Sequence, residues 1–216
     1  VVDVLQLFLV MIGDKSSNLL YHLGQMGNIK PFLPLLKSER EKLRVWTLKV
    51  IGKLVQNASG DINQKYDIMN YLAAVKKYLE PHTFTLDEYH VLMEVLLDDI
   101  TVDSIRNPVD YASNSNFTFK NMTMVSIIFQ LLMVRKDAQL KCKILADFAF
   151  MLKKSGENRA KFMKQSGWQN WILSLLVNET IQTDIKDDKL PDNNDTATKL
   201  VVLVVDFWVV LFEASL

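Results

Sequence analysis

The first 36 residues of the chain recur, without a gap, as residues 141–176. Two stretches of one chain share the same helix, turn and helix when each solves the same packing problem. Stacked helical repeats do this by burying their apolar faces against their neighbours. The repeat therefore predicts an all-α stack of antiparallel helices, with repeat units at about 1–36 and 141–176. Nine of the 36 aligned pairs are identical: Leu5/Leu145, Phe8/Phe148, Met11/Met151, Asn18/Asn158, Gln25/Gln165, Gly27/Gly167, Leu33/Leu173, Leu35/Leu175 and Leu36/Leu176.

The composition agrees with a helical fold and narrows the classes of partner. Glycine and proline number only 7 and 5 in 216 residues, which favours long helices over turn-rich sheets. The 25 basic residues balance 25 acidic ones, so we expect no general attraction to nucleic acid or to an anionic membrane. The single cysteine, Cys142, excludes an internal disulfide and a Cys-based zinc site.

Apolar residues spaced three and four apart indicate amphipathic helices along most of the chain. Two capping boxes, Ser38 with Glu41 and Thr85 with Glu88, predict the starts of two of them. A polar connection is expected over 103–120, and an acidic mobile loop over 178–196. The predicted helices lie at about 1–12, 18–26, 29–37, 39–57, 63–79, 86–101, 137–154 and 197–214; the valine-rich last one has a strand as its alternative.

The sequence contains no motif that indicates catalysis or metal binding. It lacks a Gly-rich phosphate loop, a nucleophile elbow and a His pair at metal-ligand spacing. The repeat pairs His22 with Phe162 and Cys142 with Val2, so packing roles are predicted for both. His90 is interpreted as a partly exposed helical residue. We therefore expect no catalytic residue, no cofactor and no metal.

Two groups of residues are candidates for contacts with other surfaces. Lysines on one face of the 39–57 helix and in the later repeat unit suggest a site for phosphoinositides or an acidic peptide. The alternative interpretation is the ordinary charged outer face of a helical stack. Trp168 and Trp171 replace Asn28 and Pro31 in the repeat, so we predict that they pack units together, at least one of them against the 137–154 helix. The candidate lysines are Lys42, Lys49, Lys53, Lys141, Lys143, Lys153 and Lys154.

Five Asn-x-Ser/Thr sequons occur in the chain. They are consistent with a secreted, glycosylated protein, but chance matches in an Asn-rich chain explain them better. Their asparagines are Asn57, Asn116, Asn121, Asn178 and Asn194.

Several short motifs, read in order along the chain, together resemble those of one family. They include Asp3-Val4-Leu5-Gln6-Leu7, Thr47-Leu48-Lys49-Val50-Ile51-Gly52, Glu157-Asn158-Arg159 and Trp168-Gln169-Asn170-Trp171. In this order the chain resembles the armadillo-like α-solenoid region of neurobeachin-like BEACH-domain proteins, upstream of the BEACH domain. The resemblance implies one armadillo/HEAT-like α-solenoid segment over 1–216, belonging to a longer chain.

The resemblance also implies a function and partners. The segment would be a non-catalytic interaction scaffold of a large cytoplasmic protein in vesicle and membrane trafficking. Its partners would be other proteins of that machinery and the downstream domains of the same chain, with peripheral association with endosomal or Golgi membranes through other domains. Two alternatives stay open: an importin-like or other armadillo cargo adaptor, and the regulatory solenoid of an enzyme whose active site lies elsewhere.

The last predicted helix is apolar on nearly every side, with Asp206 as its only charge between Leu200 and Phe212. Those 13 residues are too few to span a bilayer, so we interpret the helix as buried. A helix that is apolar all round has to be covered all round. We therefore predict that residues 1–216 alone self-associate or need flanking sequence to stay soluble. Sedimentation of the isolated chain measures this, and a well-behaved monomer would contradict it.

Overall fold

The computed structural model describes residues 1–14, 19, 21–23, 29–57, 72, 74–102, 104–107, 117–183 and 194–212. Within these ranges the chain forms helices and contains no β-strand, which confirms the predicted all-α class and makes the strand alternative at the C-terminal end wrong. The α-helices with defined bounds are α1 (Val2–Gly13), α2 (Glu41–Asn57), α3 (Leu86–Leu97), α4 (Thr123–Met133), α5 (Ala138–Lys154), α6 (Gly156–Met163), α7 (Trp168–Thr183) and α8 (Asn194–Phe212); a 3-10 helix spans Leu33–Lys37. Residues 21–23 and 74–79 are also helical.

The ends of the helices test the predicted capping signals. At α3 the capping box forms as expected: the Glu88 amide donates to Thr85 Oγ1 at 3.3 Å, and the Thr85 amide donates to Glu88 Oε2 at 3.0 Å. The box predicted from Ser38 is wrong, because Ser38 Oγ accepts from the amide of Arg40 instead and α2 begins only at Glu41. The helix α3 ends earlier than predicted because Asp98 adopts a left-handed conformation with φ 58°.

Other predicted segments differ in type or length. The helix expected at 29–37 is a 3-10 helix that begins only at Leu33 and carries Pro34 in its first turn. Because α7 continues to Thr183 and α8 begins at Asn194, both ends of the predicted acidic loop are helical. Residues 184–193, and most of the helices predicted at 18–26 and 63–79, lie outside the described residues.

The chain divides into two compact units. Unit 1 comprises residues 1–108 and 119–128; unit 2 comprises 109–118 and 129–216. In unit 1, α2 packs against α1, α3 and the 3-10 helix. Because neighbours cover α2 on several sides, every residue from Arg44 to Gly52 is buried. This helix is the centre of unit 1.

Unit 2 is built around α5, which packs against α6 and α8. Its core is aromatic: the rings of Phe148, Phe162, Trp171 and Phe207 lie 5.0–6.4 Å from that of Phe129. Edge-to-face and offset ring contacts of this kind add to the free energy gained by burying the rings.

Each copy of the internal repeat begins with a long helix, one in each unit. Its first helix is α1 in unit 1 and α5 in unit 2, and Leu5 and Leu145 are buried at equivalent positions. In each unit a long later helix then packs against that first helix, α2 against α1 and α8 against α5. The repeat weakens toward its end, where Leu33 is buried in the 3-10 helix but its partner Leu173, in α7, is exposed.

Gly52 sets the distance between α2 and α3. A Cβ atom there would lie 2.6 Å from Val95 Cγ2 and 2.7 Å from Ile100 Cδ1, both closer than carbon atoms can approach. We predict that Gly52→Ala lowers the free energy of unfolding by about 1–3 kcal/mol, through overpacking. Urea denaturation measures this. Gly13→Ala is the matched control: it also lies in a helix but meets only Lys53 Cε at 3.8 Å, and should cost nothing.

Candidate functional site

The structure separates the candidate lysines into surface and buried residues. Lys42, Lys153 and Lys154 are exposed, and Lys53 and Lys143 are partly exposed. Lys49 and Lys141 have no exposed surface, so their assignment to an interaction surface is wrong. Residues spaced seven and eleven apart lie on one face of a helix, whether that face is exposed to solvent or buried. On α2, the face that carries Lys49 is buried.

The Lys49 ammonium is surrounded by oxygen atoms. It donates to Glu94 Oε1 and Oε2 at 3.2 and 3.0 Å, and to the hydroxyl and carbonyl oxygens of Thr101 at 3.0 and 2.8 Å. The carbonyl oxygen of Ser104 accepts at 2.5 Å. These acceptors replace the water that the ammonium loses on burial.

The Glu94 carboxylate is satisfied just as fully. Besides Lys49, it accepts hydrogen bonds from the amide and hydroxyl of Thr101, at 3.3 and 3.1 Å, and from the amide of Arg106, at 3.0 Å. The described residues after α3, 98–102 and 104–107, form no helix or strand, so these bonds fix their path. The Lys49–Glu94 pair thus joins α2, α3 and the first residues of the predicted 103–120 connection.

A second buried ion pair links the same two helices nearer their N-terminal ends. Arg44 Nε lies 2.5 Å from Glu88 Oε1, and Arg44 Nη1 donates to the Ser38 carbonyl at 2.8 Å. Glu88 is also the carboxylate of the α3 capping box, so one side chain caps α3 and holds α2. Sequence reasoning found the cap but missed the ion pair, because its partner lies 44 positions away.

The Glu157-Asn158-Arg159 motif has a structural role. Arg159 Nη1 donates to the carbonyls of Leu152 and Lys153 at 2.7 and 3.2 Å, which caps the C-terminal turn of α5. Asn158 is fully buried, and its side-chain nitrogen Nδ2 donates to the Phe117 carbonyl at 3.3 Å. These residues therefore position α5 and α6 rather than present a binding site.

Trp168 and Trp171 are both buried. Trp171 stacks on Phe129 at a centroid distance of 5.9 Å, and the Trp168 ring lies 4.8 Å from that of Trp208. These ring contacts are with α4 and α8. The packing of either tryptophan against α5, or between repeat units, stays a prediction.

The histidines and the cysteine show no catalytic arrangement in the described residues. His22 is exposed and His90 is buried beside Tyr89, so both sequence interpretations of histidine are wrong. Cys142 is buried as predicted, next to a cavity of about 430 Å³ between α5 and α8 that is also lined by Gln139, Lys143, Thr196 and Lys199. In the described ranges no three His, Cys, Asp or Glu side chains come together as a metal site would require.

Two helices carry open apolar faces. On α1 the exposed residues include Val4, Leu7 and Met11, whose counterparts in α5 are all buried. On α8 the exposed apolar residues are Val201, Val202, Val205, Val209 and Phe212, and the exposed Asp206 lies among them. The predicted all-round apolarity of the last helix pointed to the α8 face, whereas the α1 face was missed because its residues fit a core stripe equally well.

Helices packed against one another, with no strand in the described residues, define the chain as an all-α protein of packed helices. A family model described as "Neurobeachin/BDCP, DUF4704 alpha solenoid region" matches residues 1–215. The chain therefore belongs to this family of α-solenoids, and the resemblance to neurobeachin-like proteins is confirmed.

Curated relatives agree with the family. The chain is 22% identical over 182 residues to a putative neurobeachin homolog of Caenorhabditis briggsae, and 21% identical over 182 residues to that of Caenorhabditis elegans. It is 23% identical over 221 residues to the BEACH domain-containing protein lvsD of Dictyostelium discoideum. These matches cover 80%, 80% and 75% of this chain but only 7% of each relative. No solved structure matches, and no helix within the described ranges is long and apolar enough to cross a bilayer.

The burial of Lys49 leads to a stability prediction. Lys49→Met removes the ammonium and leaves the Glu94 carboxylate buried without its countercharge, which should lower the free energy of unfolding by about 3–5 kcal/mol. Lys42→Met changes an exposed lysine of the same helix and should stay within about 0.5 kcal/mol of the unmodified chain. Chemical denaturation compares the two, and equal effects would contradict the burial of Lys49.

Proposed function

We propose that this chain is a non-catalytic protein-interaction scaffold segment of a large BEACH-family protein that acts in vesicle and membrane trafficking. The observation that carries the proposal is the match of the neurobeachin/BDCP α-solenoid family across residues 1–215. The names of the relatives, neurobeachin homologs and a BEACH domain-containing protein, support the same assignment.

The structure suits such a role because its rigid contacts lie in the interior and its apolar faces stay exposed. Buried ion pairs in unit 1 and aromatic rings in unit 2 fix the helices, while α1 and α8 leave apolar faces outward. Apolar surface of this kind gains free energy when a partner covers it. The chain would bind other proteins of the trafficking machinery and the further domains of its parent polypeptide.

The proposal also includes the exposed lysines, as a polar interaction surface. Lys153 and Lys154 lie in the last turn of α5, where cations interact favourably with the helix dipole. Together with Lys42, Lys53 and Lys143, they remain candidates for an acidic partner. With no net charge on the chain, nucleic acid is not among the proposed partners. We place the protein in the cytoplasm, with peripheral association with endosomal or Golgi membranes through other domains.

Proximity labelling of the full-length protein in cells tests the proposal. We expect endosomal, Golgi or vesicle-coat proteins to be enriched, and some of them to be lost when residues 1–216 are deleted. Loss of the same proteins on deletion separates the scaffold role of this segment from that of other domains. Enrichment of nuclear import factors and nuclear cargo would instead favour the cargo-adaptor alternative, and an unchanged set of partners after deletion would contradict the scaffold role.

A further inference from the structure

The outward face of α8 lacks a neighbour in the described part of the chain. One side of the helix is buried through Leu200, Val204, Phe207 and Leu211. Its opposite side carries an apolar stripe, defined here as Val202, Val205, Val209 and Phe212, whose residues are 44–55% exposed. Spacings of three, four and three residues place the four side chains along one face, over about 15 Å of helix.

The helix pairs of the two units show what could cover this stripe. In unit 1, α2 packs against the first helix of the repeat and also against α3. In unit 2, α8 packs against the equivalent first helix, α5, but no described helix covers its stripe. We propose that the α8 stripe docks one further α-helix of the same polypeptide, in the role that α3 has on α2.

The chemistry of the stripe specifies the helix that fits. The contact between α2 and α3 contains two glutamates, each paired with a basic residue of α2. The four residues of the stripe are uncharged, and the exposed charged side chain beside them, Asp206, is acidic. A helix with a glutamate at its centre would therefore bury an unpaired carboxylate at a large cost. The docked helix therefore presents an uncharged apolar stripe of its own.

The side chains of the stripe also favour docking at ordinary helix spacing. Three of the four are valines, whose single preferred rotamer in a helix means that little entropy is lost when they are covered. The α2–α3 contact is unusually close at Gly52, whereas the α8 stripe has no glycine. We therefore expect the two helix axes to lie about 8–10 Å apart, the usual range.

The same polypeptide is a better source of this helix than a second copy or a membrane. The matched stretch is only 7% of each relative, so most of their chains lies outside it. Two α8 stripes facing each other would bury much less than the ~1,200 Å² of a stable interface. Helices that lie on lipid carry basic residues beside their apolar face, whereas the described side chains of α8 include one basic residue, Lys199.

Cysteine labelling in the full-length protein tests the docking directly. Val205→Cys reports on the stripe, Val204→Cys on a buried position of the same helix, and Ala160→Cys on an exposed position of α6. Peptide-resolved mass spectrometry follows maleimide reaction at each site. We expect the cysteine at 205 to react at least about tenfold more slowly than the one at 160, and nearly as slowly as the one at 204, because the docked helix shields it.

Three results would overturn the proposal. Reaction at 205 as fast as at 160 would show an uncovered stripe. Protection that disappears on dilution would assign the stripe to a second copy, and protection that appears only with phosphatidylcholine–phosphatidylserine vesicles would assign it to lipid.

A second variant gives an independent readout. In the full-length protein, Val205→Glu places a charge under the docked helix, so hydrogen exchange across 200–212 should rise severalfold. Ala160→Glu, at an exposed position of α6, is the matched control and should leave exchange across 200–212 unchanged. Equal exchange in both variants would contradict the docking.

Discussion

Burying an ammonium and a carboxylate between two helices constrains everything around them. Lys49 and Glu94 are tolerated in the interior of unit 1 only because oxygen acceptors and N–H donors replace the water that both groups lose. Those donors and acceptors come from α2, from α3 and from residues 101, 104 and 106 after it. If α2, α3 or residues 101, 104 and 106 moved away, the pair would lose part of its hydrogen bonding. The pair therefore makes these three parts one cooperative structure.

The two units solve the same packing problem with different chemistry. In unit 1 the long helix α2 is fixed by directional, charged contacts, which specify one register between α2 and α3. In unit 2 the equivalent long helix, α8, contributes Phe207 to an aromatic core around Phe129. Helix-on-helix packing is thus held by buried ion pairs in unit 1 and by aromatic contacts in unit 2.

Sequence reasoning predicted features whose physics is local. The repeat indicated α1 and α5, and Thr85 with Glu88 marked the start of α3, because spacing and capping act over a few residues. It failed where distant contacts decide. Lys49 has the spacing of a surface stripe, and only the position of Glu94, 45 residues away, shows that it is buried. For the same reason His90 was expected near the surface. The open face of α1 was not foreseen, because exposed and buried apolar stripes show the same spacing of residues along a helix.

The fold also bears on glycosylation. Asn121 belongs to a sequon, yet it is buried and its side-chain nitrogen donates to the Val95 carbonyl at 2.7 Å. The nitrogen of Asn57, in another sequon, donates to the Ile12 carbonyl at 2.8 Å. A glycan attached to either nitrogen before folding would compete with these bonds, and at Asn121 it would have to enter the core. A chain that acquired sugar at Asn121 could not reach this structure.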